Sequence, residues 1–200
     1  MNWFTKNWAA VGLFTGILIV IILILSSDYL SYNEVLLRLQ VSFLMFHQFE
    51  EYILPGGFKK FFNEELFPKR KNFGFNLSDP GILIINVIFG WTVYVFAAYS
   101  ENIFPWFAAG IIVLTVINGL LHTAAALIKK KYNPGLITGL FLFIPIGTDY
   151  FLSNADDMST GFIFKAALTA LAGCIIIPVT ILMTGKRENE IDKKENKTEM

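Results

Sequence analysis

Residues 34–54 read EVLLRLQVSFLMFHQFEEYIL, an apolar run that carries His47-Gln48-Phe49-Glu50-Glu51 near one end. A helix needs about 20 residues to cross a hydrocarbon core of ~30 Å, and this stretch supplies them. Burying a charged side chain in lipid costs on the order of 3 kcal/mol even on lenient scales. A chain keeps such a cluster when its groups pair, bind a cation or line a wet cavity. The stretch therefore reads both as a membrane span and as the place to look for function.

Outward from it, five more apolar stretches are separable, at about 8–25, 81–99, 103–128, 134–152 and 160–184. They do not alternate polar and apolar residues, so helices rather than barrel strands are expected. The chain is 54% hydrophobic and 16% charged, where a soluble domain carries about 45–50% and about 25%. The fold class expected is an all-α, polytopic transmembrane bundle of about six spans. One integral membrane domain would cover 1–184, in the cell membrane, with lipid as its surroundings. Net charge is zero, and the basic residues sit in short clusters beside apolar spans. Headgroups and topology explain such clusters, so nucleic acid is not an expected partner. The single cysteine, Cys174, excludes an internal disulfide and reads as an inert thiol in an apolar run.

The connections alternate in sign. Lys6 precedes the first span, and Asp28 and Glu34 flank the next connection. Lys59, Lys60, Lys69, Arg70 and Lys71 follow the second span, Glu101 the third, Lys129 to Lys131 the fourth, Asp156 and Asp157 the fifth, Lys186 and Arg187 the sixth. This pattern places both termini in the cytoplasm. The first stretch is kept as a span and not a signal peptide, because Ile24-Leu25-Ser26 is a poor cleavage site. The tail at 185–200 is polar and alternately charged, and is expected to be disordered. Between Pro55 and Pro80, Phe58, Phe61, Phe62, Leu66 and Phe67 interleave with Lys59, Lys60, Glu64 and Glu65 at helical spacing. That is a short amphipathic helix in the interface, either a plain connector or a lid over a site opening to that face.

On a helix His47 has Glu50 and Glu51 three and four residues away, and Gln40 two turns back. By itself this set could be an interfacial helix end whose carboxylates simply reach water. The fourth span adds Asn118 and His122 on one face, with Gly119, Ala125 and Ala126 nearby to admit a close neighbour. Counted from the basic connections, both histidines lie roughly 10 Å inside the boundary. Asn86 and Thr138 reach similar depth from the third and fifth spans. The expectation is one polar layer in the cytoplasmic leaflet. Tyr132-Asn133-Pro134-Gly135 opens the fifth span beneath it, as a tight turn or as a gate. Arg38 should snorkel outward, and Asp149 lies either at the outer interface or at the far end of a polar path.

Three motifs stand in order: His47-Gln48-Phe49-Glu50-Glu51 fits HxxEE, Asn118 to His122 fits NxxxH, and Tyr132 to Thr138 fits YxPGxxT. Together they resemble the signature of the HXXEE family of small membrane proteins, over about residues 35–140. The resemblance implies that His47, Glu50, Glu51, Asn118, His122, Tyr132, Pro134, Gly135 and Thr138 belong to that family's presumed active site. It supplies no reaction.

Chemically, two neutral imidazoles and a carboxylate are the ligand set of a catalytic divalent metal with an open position. His47, Glu51 and His122 are the expected ligands, Glu50 the general base, and Asn118 the residue orienting His122. Zinc is one candidate and iron or manganese the others. The implied activity is a hydrolase-type membrane metalloenzyme acting on a lipid-like molecule. Metal-free acid–base chemistry by Glu50 and Glu51 is its variant. A proton- or ion-coupled transporter and a non-enzymatic membrane subunit are the competing classes.

Overall fold

Apolar runs with no period-two alternation fold as helices, and the computed structural model contains no strand among its described residues, 3–68 and 73–198. Lys69, Arg70 and Lys71, part of the charge pattern above, lie outside them. Besides two short 3-10 turns at Ser27–Tyr29 and Ala155–Asp157, seven helices are described among these residues. They are α1 (Trp3–Ser26), α2 (Tyr32–Tyr52), α3 (Phe58–Lys60, continuing through Phe61–Leu66), α4 (Asp79–Tyr99), α5 (Pro105–Lys129), α6 (Leu136–Ser153) and α7 (Thr160–Thr198).

The ends follow local chemistry. Ser31 and Glu34 form a reciprocal capping box at the start of α2, the Ser31 hydroxyl accepting from the Glu34 N–H and the Glu34 carboxylate from the Ser31 N–H. Ser78 caps α4 ahead of Pro80, and Pro105 opens α5, where a missing N–H costs nothing. α5 stops at Lys130, which takes a left-handed conformation at φ 52°. The turns of α6 widen over Gly139–Phe143, just before Pro145, which offers no N–H to the carbonyls upstream. α4 widens in the same way over Ile84–Trp91, and Gln48 Nε2 donates to the Asn86 carbonyl there at 3.2 Å.

Five of these helices, α1, α4, α5, α6 and α7, are long and apolar enough to cross a membrane. α2 is of spanning length, but its sequence is more polar. It keeps its polar groups by turning them inward: Gln40, Ser42, His47, Gln48, Glu50 and Glu51 are all buried. Around it pack Tyr94 and Ala97 of α4, Ala108 and Ile112 of α5, and Phe143 and Ile146 of α6. Phe14, Leu18 and Ile22 of α1 and Phe164, Leu171 and Ile175 of α7 are exposed, as lipid-facing residues are. The chain is a transmembrane helix bundle.

Close approaches rest on glycine. A Cβ at Gly16 would lie 2.8 Å from Phe46 Cε1, so α1 seats directly on α2. A Cβ at Gly119 would lie 2.6 Å from the Gly139 carbonyl oxygen, which draws α5 onto α6. The connector α3 is amphipathic as read, with Phe61 and Phe62 buried and Lys60 and Glu64 exposed. Lys129 Nζ donates to the Glu65 carbonyl at 2.7 Å, and Lys131 pairs with the Glu65 carboxylate. α7 stays helical past Gly185 to Thr198. Asn76 Nδ2 donates to Glu188 at 2.7 Å and Lys59 stands 4.0 Å from the same carboxylate, so the connector supplies partners for the extension.

Candidate metal centre

Residues seven apart lie two turns apart on one helical face, and both α2 and α5 use that spacing. Gln40 and His47, with Glu51 a turn further, face Thr115, Asn118 and His122. Three polar rungs result. Gln40 Nε2 donates to Thr115 Oγ1 at 2.6 Å, Asn118 Nδ2 stands 3.5 Å from His47 Nε2, and Glu51 Oε1 stands 3.3 Å from His122 Nε2. Tyr94 joins the first rung at 2.9 Å. Glu51 Oε1 is also 3.5 Å from His47 Nε2, and the two rings meet edge to face with centroids 4.9 Å apart. One ligand atom each from His47, Glu51 and His122 lie within 4.8 Å of one another, all three residues buried. This group can hold a metal ion. Phe143 lies against the His47 ring and Phe58 of α3 against that of His122, with centroids 4.5 and 5.3 Å apart.

The third wall is the turn into α6. Gly135 has φ +95°, and a Cβ there would lie 2.5 Å from His122 Cε1 and 2.8 Å from His47 Cε1. Glycine thus lets backbone slide against both rings. Asn133, fully buried, brackets His122: its Oδ1 is 2.7 Å from Nδ1 and its Nδ2 donates to the His122 carbonyl at 2.9 Å. Thr138 Oγ1 is 2.8 Å from His47 Nδ1.

Glu50 accepts four hydrogen bonds. Tyr132 Oη and the Ile137 N–H donate to Oε1 at 2.8 and 3.0 Å, and the Thr138 N–H and hydroxyl donate to Oε2 at 2.8 and 2.5 Å. Two of those donors are otherwise orphaned N–H groups in the first turn of α6, so Glu50 caps that helix from another element. Partial burial, then the hydrogen bond to Glu50, push the Tyr132 phenol above its ordinary range and keep it a neutral donor.

The family model described as "Protein of unknown function with HXXEE motif" matches residues 39–150. The chain belongs to the HXXEE family. No curated protein and no solved structure matches it. The HXXEE region takes in most of α2 and all of α3 to α5, and runs along α6 as far as Tyr150. It therefore contains every group just described and leaves α1 and α7 outside.

Within the HXXEE region, the fold brings His47, Glu51 and His122 together as the spacing suggested. Tyr132 and Thr138 converge on Glu50, and Thr138 also reaches His47 Nδ1. Asn118 stands beside His47, not in the expected position orienting His122; Asn133 does that. Asn133 lies inside the turn motif but is not one of the residues that the motif defines. Its signal was an amide one residue before a proline, where the backbone leaves the helix and side chains fold back. Asn86 belongs to a neighbouring chain of bonds, with Gln48 at 3.3 Å and Tyr52 at 3.3 Å, and Trp91 donates to Gln48 at 2.8 Å. Asp149 accepts from Tyr32 at 2.5 Å. Between Thr138 and Asp149 the inward residues of α6 include Phe143 and Ile146, both buried and apolar. Arg38 pairs with Glu34 at 2.9 Å and lies over the Tyr99 ring.

Proposed function

We propose that this protein is a membrane-embedded metalloenzyme of the hydrolase type, with its centre in the cytoplasmic leaflet and a lipid-like substrate. The observation that carries the reading is the convergence of His47, Glu51 and His122 within 4.8 Å inside a buried site. A buried carboxylate facing two imidazoles calls for a positive charge among them, and two nitrogens and an oxygen suit zinc, with iron or manganese as alternatives. A divalent ion held by three protein groups keeps a position for water or substrate and polarises what binds there.

The two carboxylates divide the work. Glu50 was the expected general base, but four donors occupy its oxygens, so it is better read as the clamp that fixes the turn of Tyr132 to Thr138. Glu51 is then the ligand, and its second oxygen is the proton acceptor nearest the centre. The depth of the histidines below the lysine-rich connections, and the apolar faces of α3 nearby, favour an amphipathic substrate drawn from the bilayer. A transporter needs polar groups along a route across the membrane. The buried Gln40, Thr115 and Tyr94 rung extends the polar groups two turns outward, but Leu37, Ile112, Phe143 and Ile146 make the surrounding core apolar, which weighs against one.

Elemental analysis of detergent-solubilised protein, purified without chelators, tests the proposal. Wild type should carry about one divalent ion per chain, and the His47→Ala, His122→Ala double variant none. A wild-type protein that holds no stoichiometric metal, and gains none on titration, would remove the metalloenzyme reading.

A further inference from the structure

We propose that Thr138, with Glu50 behind it, and Asn133 are positioning residues that fix the tautomers of the two imidazoles, so that His47 and His122 both present an unprotonated Nε2 to Glu51. The inference deepens the metal-centre reading and rests on it for its purpose, but its geometry stands on hydrogen bonds that need no ion.

At His47 the direction of each bond follows from the one before. The Glu50 carboxylate can only accept, and it takes one backbone N–H on each oxygen. Thr138 Oγ1 stands 2.5 Å from Oε2, so the single hydroxyl proton goes there. The hydroxyl is left with lone pairs alone for its other partner, His47 Nδ1 at 2.8 Å. Nδ1 therefore donates. A neutral imidazole carries one proton, which leaves Nε2 bare. Asn118 agrees from the other side: its amide nitrogen, a donor, is the atom turned toward that Nε2.

At His122 a separate set of bonds gives the same result. Asn133 Nδ2 donates to the His122 carbonyl, which fixes which way the amide is turned. The atom facing Nδ1 at 2.7 Å is then Oδ1, an acceptor, so Nδ1 again holds the proton. In the neutral ring the nitrogen left without a proton is then Nε2, 3.3 Å from Glu51 Oε1. Metal-binding histidines commonly donate the other ring N–H to an acceptor that orients them. Here an amide oxygen does it directly for one ring and a hydroxyl backed by a carboxylate for the other. In the neutral rings three acceptor atoms are thereby held face to face, an arrangement that a metal cation or a proton relieves.

The test is ¹⁵N NMR of the full chain in detergent, labelled at histidine, stripped of metal and held at mildly alkaline pH. With two histidines, a His122→Asn variant assigns both. Wild type should show a protonated Nδ1 and a bare Nε2 on each ring. Thr138→Val should change the His47 tautomer alone and Thr138→Ser should preserve it. Asn133→Leu should change His122 alone. In zinc titrations the Val and Leu variants should bind about 10–100-fold more weakly than wild type, and the Ser variant within a few-fold. A wild-type ring protonated at Nε2, or a His47 signal indifferent to Thr138→Val, overturns the proposal. Correct tautomers in a wild-type protein that binds no metal would uphold these positioning roles and sink the metalloenzyme reading alone.

Discussion

Glu50 and Glu51 are chain neighbours with opposite surroundings, and that contrast is the sharpest expectation at the scale of single residues. Glu51 faces two imidazoles, whereas Glu50 faces two N–H groups and two hydroxyls. Glu51→Gln should strip the centre of metal while leaving the fold intact, since the amide still fits the space. Glu50→Gln should do something different, because its NH₂ would oppose a donor it cannot satisfy. We expect a loss of about 1–3 kcal/mol of stability, read as a lower thermal midpoint in detergent, with metal binding in the folded fraction weakened no further than in Thr138→Val and not abolished as in Glu51→Gln. Helical spacing alone could not separate these two residues, for both flank His47. What separates them arrives from the turn at 132–138, more than eighty residues away, and nothing local in α2 announces it. The same holds for Asn133, whose partner His122 lies on the far side of a chain reversal.

At the scale of elements, the turn into α6 is a wedge whose tip is Gly135. Gly57, at the start of α3, provides the control. Both have positive φ, +95° and +90°, but a Cβ at Gly57 meets nothing within 4 Å whereas at Gly135 it runs into both histidine rings. Gly57→Ala should therefore cost only its backbone strain, about 1–2 kcal/mol. Gly135→Ala should add displacement of the rings and abolish metal retention. Thermal midpoints and metal content measured side by side decide it; equal effects would mean that the wedge contributes only a turn. The helices themselves were legible because an apolar run has few alternatives in lipid; the bounds of the other spans fall within about five residues of those read from sequence, and α7 begins as read at Thr160 but runs on to Thr198. Less legible were the widened turns of α4 and α6, which depend on where Gln48 and Pro145 sit, and the extension of α7, which depends on Asn76. The amphipathic α3 was visible because its phenylalanines recur at helical spacing.

For the whole molecule, the alternation of basic and acidic connections predicts a topology with six crossings and both termini inside. Single cysteines at Lys130 and at Asp157, in a Cys174→Ser background, should react with an impermeant label from opposite sides; reaction from one side would defeat that arrangement. The centre is off the midline of such a bundle. His47 precedes the end of α2 by about one and a half turns and His122 the end of α5 by about two. An ion reaching it from the lysine-rich side thus crosses about a third of the ~30 Å core. That fraction has an electrical meaning. A divalent cation rising through a third of a field worth about 2.3 kcal/mol per charge per 100 mV works against roughly 1.5 kcal/mol, or about tenfold in affinity. With the cytoplasm negative, the voltage opposes occupancy. In vesicles with an imposed potassium diffusion potential, metal should bind more tightly as the membrane depolarises, so the occupancy of a small buried triad would follow the energetic state of the cell.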